Sequence, residues 1–373
     1  MHFVFTAPRF HTNQHFPVKA LLDAGHEVTF LVLRRAQSET YEALSPTVLG
    51  CSPTFDVLRR AAAKLPWVGY SDVGGMPSPL QFFAAMRRLR PTAVVVRDPK
   101  SAYGLLASLA AKLVGASLIL YTQTPKHQPV SRRKRLIYSL MMRTTGAEWF
   151  TPVCGRPDQY AAVHAALRYL PFVVEPATDP SSKRWFRNDT VNILSIGKFQ
   201  RRKRHDLFID AIAAVADKQP VRALIVGECT TAEHRQVIED VARQRARLGL
   251  EGTVEIRTNL PFAEVQRLYA AHDLFVLPSQ GEPAAVSPLE AMAHSLPVIC
   301  SDSNGTACYI RADANGFVFR SGDAHHLGTR IAEAIKDRGR LMRMGAESYR
   351  QVLTVHDPSR YVSGLVEMVD PAR

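Results

Sequence analysis

Along this chain short, apolar, β-rich runs alternate with segments of helical period, and the alternation stops once and then starts again. Strands separated by helices imply βαβ units, because parallel neighbours need a crossover long enough to hold a helix. In the first half HFVFT (2–6), HEVTFLVL (26–33), TAVVVR (92–97), SLILYT (117–122) and EWFTPV (148–153) read as strands. PVKALLDAG (17–25), which Gly25 can close, and YGLLASLAAKLVG (103–115) read as helices, and another helix is expected after residue 153. Between 173 and 190, VVEPATDPSSKRWFRNDT, the period is lost while Pro, Ser, Asp and charge accumulate, which reads as an interdomain linker. VNILSIG (191–197), VRALIVG (221–227), TVEIRT (253–258), DLFVLPS (273–279), PVICS (297–301) and GFVFR (316–320) then read as strands. HDLFIDAIAAVADK (205–218), AEHRQVIEDVARQRARLG (232–249), PFAEVQRLYAAH (261–272) and two segments over 324–353 read as helices. The expected organisation is a domain at 1–172, a linker at 173–190, a second domain at 191–355 and an amphipathic C-terminal helix within 356–373. Two doubly wound α/β domains facing a cleft would bind ligands at the carboxyl ends of their strands.

A length of 373 residues fits two domains of about 150 each. Five scattered cysteines without a CxxC pair predict neither a disulfide framework nor a zinc site, and a reducing cytoplasm suits them. The start MHFVFTAPRF lacks a charged n-region, so no signal peptide is expected, and no apolar run approaches the ~18 residues of a spanning helix. The net charge of +13 favours anionic partners: phosphorylated substrates, a negative membrane surface or nucleic acid. The basic residues lack the aromatic interleaving of a single-strand-binding platform, which ranks nucleic acid last. The absence of GxGxxG after the first strand disfavours a nicotinamide cofactor, and there is no HExxH or other metal-ligand spacing.

The stretch PSQGEPAAVSPLEAMAHSLPVICSD (278–302) places Glu282 and Glu290 on either side of a helix start near Ser287, at the carboxyl edge of a parallel sheet. Free N–H groups and the helix dipole there suit an anion such as a diphosphate, whereas carboxylates suit the hydroxyls of sugars and riboses. Ser287-Pro288-Leu289-Glu290 equally fits a capping box, with Ser287 at N-cap, Pro288 at N1 and Glu290 at N3. Glu282 equally fits an exposed loop glutamate. Upstream, Gly197-Lys198-Phe199-Gln200-Arg201-Arg202-Lys203-Arg204 follows the first strand of the second half. Cations in such a loop pair with a diphosphate, or else make a solvated basic turn.

Taken in order, these segments resemble the E-x7-E signature of retaining glycosyltransferases of the GT-B fold, family 4 (glycosyl transferases group 1), over most of residues 191–320. The resemblance implies two Rossmann-like domains about a central cleft, with the C-terminal helix packing back on the N-terminal domain. It implies transfer of a hexosyl residue from a nucleotide-diphosphate sugar, UDP- or GDP-linked, to an acceptor hydroxyl with retention, without cofactor or essential metal. Lys198 and Lys203 would bind the donor phosphates, Glu290 the ribose and Glu282 the donor sugar, with Gly197, Ala285, Val286 and Ser287 lining the donor site. The acceptor, a glycan or glycolipid of lipopolysaccharide or cell-surface polysaccharide synthesis, would lie on the N-terminal domain. The chain departs from the family in Lys198 for arginine, in Ala285 for glycine, in lacking a Gly-Gly loop after the first strand, and in lacking His-Asp after a middle strand. A GT-B nucleotide-sugar epimerase or phosphorylase shares the architecture, and a non-enzymatic nucleic-acid-binding protein is the rival outside it.

In place of the Gly-Gly loop stands APRFHTNQHF, whose His11, Thr12, Asn13 and His15 suit an acceptor or phosphate, or simply a surface turn. Gln123 and Thr124 end the strand where His-Asp is customary, with His127 further on. PVSRRKRLIYSLMMRTT joins Arg132, Arg133, Lys134, Arg135 and Arg143 to an apolar run. It reads as a basic amphipathic helix on the anionic inner face of a membrane, or as a buried helix with a charged start.

Overall fold

The computed structural model describes residues 1–35, 40–62 and 75–370, with only the backbone described for Thr12 and residues 58–62. Two compact units divide the chain: Met1–Val173 with Pro358–Arg373, and Val174–Asp357.

The first unit begins β1 (His2–Ala7), α1 (His15–Asp23), β2 (Glu27–Val32), β3 (Thr47–Val48), α2 (Pro53–Ala62) and α3 (Pro79–Leu89). It continues β4 (Ala93–Arg97), α4 (Ala102–Leu113), β5 (Ser117–Tyr121), α5 (Arg132–Thr145), β6 (Glu148–Thr151) and β7 (Leu167–Tyr169). The strands pair in parallel in the order β3-β2-β1-β4-β5-β6-β7. A sheet covered on both faces needs strands that are apolar throughout, and β1 shows why. Phe3, Phe5 and Ala7 join Val18 and Leu21 of α1 in one core, while Val4 joins Val94, Val96 and Tyr103 in the other.

The second unit runs β8 (Val191–Ile196), α6 (His205–Ala216), β9 (Val221–Gly227), α7 (Ala232–Arg247), β10 (Val254–Thr258), α8 (Phe262–Ala271) and β11 (Leu274–Leu277). Then come α9 (Ser287–Ala293), β12 (Val298–Ser301), β13 (Gly316–Phe319), α10 (Ala324–Ile335) and α11 (Arg338–Val355). Its parallel sheet has the order β10-β9-β8-β11-β12-β13. The last helix, α12 (Pro358–Val369), returns to the first unit, burying Tyr361, Leu365 and Met368 in the core that holds Phe3 and Val18. That packing is the one expected of the C-terminal helix.

In both sheets the strand order reverses between the first strand and the fourth, β1/β4 in one unit and β8/β11 in the other. Such a switch point opens a crevice at the carboxyl ends of the strands, because the crossovers leave it in opposite directions.

Two expectations differ from the structure. No helix follows β6; residues 152–166 form turns, tied by His127 N–H to the Cys154 carbonyl (2.9 Å) and by Val163 N–H to the Lys126 carbonyl (2.7 Å). The stretch 173–190 is not a free linker. From Val174 onward it lies on the second unit: Thr178 N–H donates to the Ala293 carbonyl (3.1 Å) and Phe186 N–H to Asp273 Oδ1 (2.9 Å). Polar composition marked it as irregular but did not reveal that its backbone has partners. No helix among the described residues is long and apolar enough to cross a membrane.

Candidate active site

The switch point of the second unit gathers the two segments singled out in the sequence. After β8 the chain turns at Gly197, whose N–H donates to the Val226 carbonyl (2.9 Å), and Arg201–Lys203 then forms a 3₁₀ turn into α6. Gly227 makes this possible: a Cβ there would lie 2.2 Å from the Gly197 carbonyl oxygen and 2.9 Å from the Phe199 ring. After β11 the chain turns at Gly281, in the left-handed region (φ 61°), and brings Glu282 back towards the 3₁₀ turn.

There Lys203 Nζ and Arg202 Nη1 both donate to Glu282 Oε2, each at 2.5 Å. Glu282 and Lys203 are buried (both 8% exposed), whereas the Arg202 side chain is half exposed. Burial lowers the pKa of Lys203, with Glu282 opposing the shift and Arg202 and Lys198 adding to it. The Glu282 backbone is tied as well, its carbonyl accepting from Gly305 N–H (2.9 Å). Glu282 is therefore not an exposed loop residue.

Lys198 is directed differently. Its ammonium is 2.7 Å from Glu228 Oε2, at the carboxyl end of β9. His205, the first residue of α6, is buried with Nε2 3.2 Å from the Gly197 carbonyl, and burial pushes its pKa down to about 4, so it is neutral at pH 7.

The capping-box expectation is corrected. Val286 occupies the N-cap position, Ser287 is the first helical residue, and no side chain caps α9. Glu290, a turn further in, accepts instead from the Tyr269 hydroxyl at 2.9 Å. Burial raises its pKa, with the Tyr269 hydrogen bond pulling the other way. The carboxylate thus has a partner from α8 and no bond to the α9 N-terminus. Ala284 and Ala285 are buried and neither has positive φ, so the alanine at 285 sits without backbone strain.

In the first unit Asn13 and Gln123 converge on one hydroxyl. Asn13 Nδ2 is 3.5 Å and Gln123 Nε2 3.3 Å from Tyr121 Oη. His11 precedes a 3₁₀ turn at Thr12–Gln14 that holds Asn13, its carbonyl accepting from Gln14 N–H (2.8 Å); the Thr12 side chain lies outside the described residues. His127 Nδ1 is 3.0 Å from the Tyr160 carbonyl, a loop-to-loop tie. Arg132, Arg133, Lys134 and Arg135 form the exposed first turn of α5, which buries only Met142. The buried-helix reading of this segment is therefore corrected.

Sequence reasoning missed Arg202, Tyr269, Glu228, His205, Arg97 and Tyr121. Arg202 stood within the basic run beside Lys203. The others carry no local pattern, since the fold, not the neighbouring sequence, sets their partners. Among the described residues no group of three or more His, Cys, Asp or Glu is placed to hold a metal ion.

Residues 179–351 match the family described as Glycosyl transferases group 1. Mannosylfructose-phosphate synthase of Agrobacterium fabrum is 27% identical over 202 residues, covering 52% of this chain and 44% of that protein. The lipopolysaccharide core biosynthesis mannosyltransferase LpsB of Rhizobium meliloti is 28% identical over 150 residues, 39% of this chain and 41% of that protein. The chain thus spans less than half the length of these curated relatives. The crystal structure of Anabaena Alr3699/HepE in complex with UDP and glucose superposes with a TM-score of 0.73 over 100% of both chains, at 14% identity. At that identity the likeness shows the fold, which is GT-B.

Proposed function

We propose, from a GT-B chain whose residues 179–351 match the glycosyl transferases group 1 family, that this protein is a retaining hexosyltransferase. It moves a sugar from a UDP- or GDP-linked donor to an acceptor hydroxyl in lipopolysaccharide or cell-surface polysaccharide synthesis. The observation that carries the reading is the convergence of Lys203, Arg202 and Glu282 at a switch point, in the unit that also holds Glu290. The UDP and glucose of the HepE structure, and the mannosyltransferase relative, support the donor and acceptor classes by analogy.

In this reading Lys203 turns its ammonium from Glu282 to the donor diphosphate, while Arg202 holds the Glu282 carboxylate in place. Glu282 then accepts hydroxyls of the donor sugar, and Glu290, oriented by Tyr269, accepts those of the ribose. Lys198 joins Lys203 in offsetting the charge that grows on the leaving diphosphate. The chain's own cations fill that role, so the reaction needs no metal. The acceptor oxygen bonds to the anomeric carbon on the face from which the diphosphate departs, its proton passing to the departing phosphate oxygen, which retains configuration.

Calorimetric titration with UDP, GDP, ADP and their sugar conjugates, with a chelator present, tests this. One nucleotide should bind saturably and lose at least tenfold in affinity in Lys203→Ala. Failure of every nucleotide to bind at millimolar concentration would sink the reading. The anomeric configuration of the product, read by NMR, tests retention.

The same reading places the protein at the cytoplasmic face of a membrane carrying its acceptor. On α5, Leu136, Ile137 and Leu140 are exposed beside the four first-turn cations. On neighbouring α4, Leu105, Leu109 and Leu113 form an exposed stripe at helical spacing. Both helices cover the same core, and Lys100 Nζ, two residues before α4, lies 3.4 Å from Tyr138 Oη of α5. Neither helix contains an acidic residue. Cations at a helix N-terminus oppose the macrodipole, so their clustering favours an anionic surface as the partner.

A further inference from the structure

We infer that Arg97 anchors an oxyanion, a phosphate or carboxylate, carried by the acceptor, at the β1/β4 switch point of the first unit. The inference rests on the glycosyltransferase reading for the word acceptor, but the anion site itself stands on the geometry of this unit.

Arg97 ends β4, and its side chain is only 12% exposed. Nη1 donates to Asn13 Oδ1 at 2.9 Å, and the guanidinium carbon lies 5.3 Å from the centre of the Tyr121 ring. Asn13 and Gln123 both reach the Tyr121 hydroxyl, so the guanidinium is held by residues from β5 and from the turn after β1. Its anionic neighbour is Asp98, whose carboxylate is 62% exposed and stands 3.7 Å from Nε, beyond hydrogen-bond range. Among the described residues Nε has no hydrogen-bond partner. A guanidinium this enclosed is costly unless an oxyanion completes it, and its planar fork fits phosphate or carboxylate in two-point fashion.

The surrounding turn is fixed. Asp98 takes a left-handed backbone (φ 53°), Ser101 N–H donates to its carbonyl (2.9 Å), and Gly104 lets α4 pack so closely that a Cβ would lie 2.4 Å from that carbonyl oxygen. Backbone held in this region recurs at ligand sites. The strands of this sheet are parallel, so the loops after β1, β4, β5 and β6 share one edge. Those loops carry four cations, Arg9, Lys100, Lys126 and Arg156, to two acids, Asp98 and Asp158, a positive balance that draws anions in.

Glucose 6-phosphate, glucuronate and glucose are the probes, titrated calorimetrically into the full chain and into Arg97→Lys, which keeps charge but loses the fork. The expected result is saturable binding of an anionic sugar, none of glucose, and at least a tenfold loss in Arg97→Lys but not in Lys203→Ala. Whichever anion binds tighter separates phosphate from carboxylate. Phenylglyoxal modification of the unaltered protein, read by peptide mass, adds a measurement that needs no variant: the binding anion should protect Arg97. Binding of neither anion, equal binding by Arg97→Lys, or an unprotected Arg97 would each overturn the inference. None of these outcomes depends on nucleotide binding by the second unit, so the two readings fail separately.

Discussion

Lys203 and Glu282, 79 residues apart in the chain, share a hydrogen bond of 2.5 Å across the switch point of the second sheet. Lys203 sits at the end of the turn after β8, and Glu282 in the loop after β11, so the bond exists only because those two strands are neighbours. Arg202 reaches the same oxygen from the solvent side. The first unit has a comparable tie at the corresponding place, where Arg97 of β4 meets Asn13 beyond β1.

Glu282→Gln leaves Lys203 buried without its anion and should destabilise the second unit by about 3 kcal/mol, because breaking a buried pair strands the other charge. Arg202→Ala, at a half-exposed site, should cost under about 1 kcal/mol. Urea unfolding reads both, and equal effects would contradict the burial difference. Glu282→Gln should also lower transfer roughly a hundredfold through a misplaced sugar, while affinity for the free nucleotide changes little.

Tyr269→Phe removes the donor to Glu290 Oε2 and should cost about 1 kcal/mol of stability. It should also raise the pKa of Glu290 further, since that hydrogen bond opposes the effect of burial. Glu290→Gln keeps an acceptor for the tyrosine, so stability should hold while nucleotide affinity falls about tenfold, the worth of one hydrogen bond to a charged group. That loss should vanish with a dideoxynucleotide. A loss equally large with the dideoxy ligand would remove Glu290 from the ribose.

What the sequence made legible follows from the range of each interaction. Strand and helix order was readable because apolar periodicity is local, and the segments holding Lys203 and Glu282 were readable because loops at strand ends carry distinctive residues. The partner of Glu290 was not. Ser287-Pro288-Leu289-Glu290 satisfies the local pattern of a capping box, yet Tyr269 from α8 supplies a hydroxyl that local reasoning has no means to place. Lys198 likewise shared one role with Lys203 in what the family resemblance implied, but the end of β9 brings Glu228 to it. Arg97 looked like the end of an apolar strand, and its role emerges only when β1 and β5 deliver Asn13 and Tyr121.

His205, His272 and His294, all in the second unit, should make that unit acid-sensitive. Burial pushes each down to about 4, from an unfolded value of 6.5. Between these values the unfolded chain binds protons that the folded chain does not, so stability is full above pH 6.5 and is lost as pH falls towards 4. Each histidine should cost about 2 kcal/mol at pH 5 relative to pH 7. Glu290 and Asp273 act in the opposite direction, since burial raises both. Urea midpoints for the second unit at pH 7 and pH 5 check the sum: a lower midpoint at pH 5 is expected, and an unchanged one would contradict a dominant contribution from the three imidazoles.

The exposed face of α4 and α5 separates a membrane role from a stability role by the sign of two effects. Arg133→Ala with Arg135→Ala removes two cations that oppose the α5 macrodipole, so stability should rise by a few tenths of a kcal/mol per residue. Binding to phosphatidylglycerol vesicles should weaken by about 2 kcal/mol, or about thirtyfold, because each cation near an anionic surface contributes about 1 kcal/mol. Leu109→Gln with Leu113→Gln, at exposed positions, should leave stability within about 0.5 kcal/mol yet weaken vesicle binding further. Raising salt should reduce the effect of the arginine pair and spare that of the leucine pair, since only the first is screened. Vesicle sedimentation across a salt series measures both. Equal binding to phosphatidylcholine and phosphatidylglycerol, or binding that ignores the arginines, would exclude this face as the anionic-membrane contact.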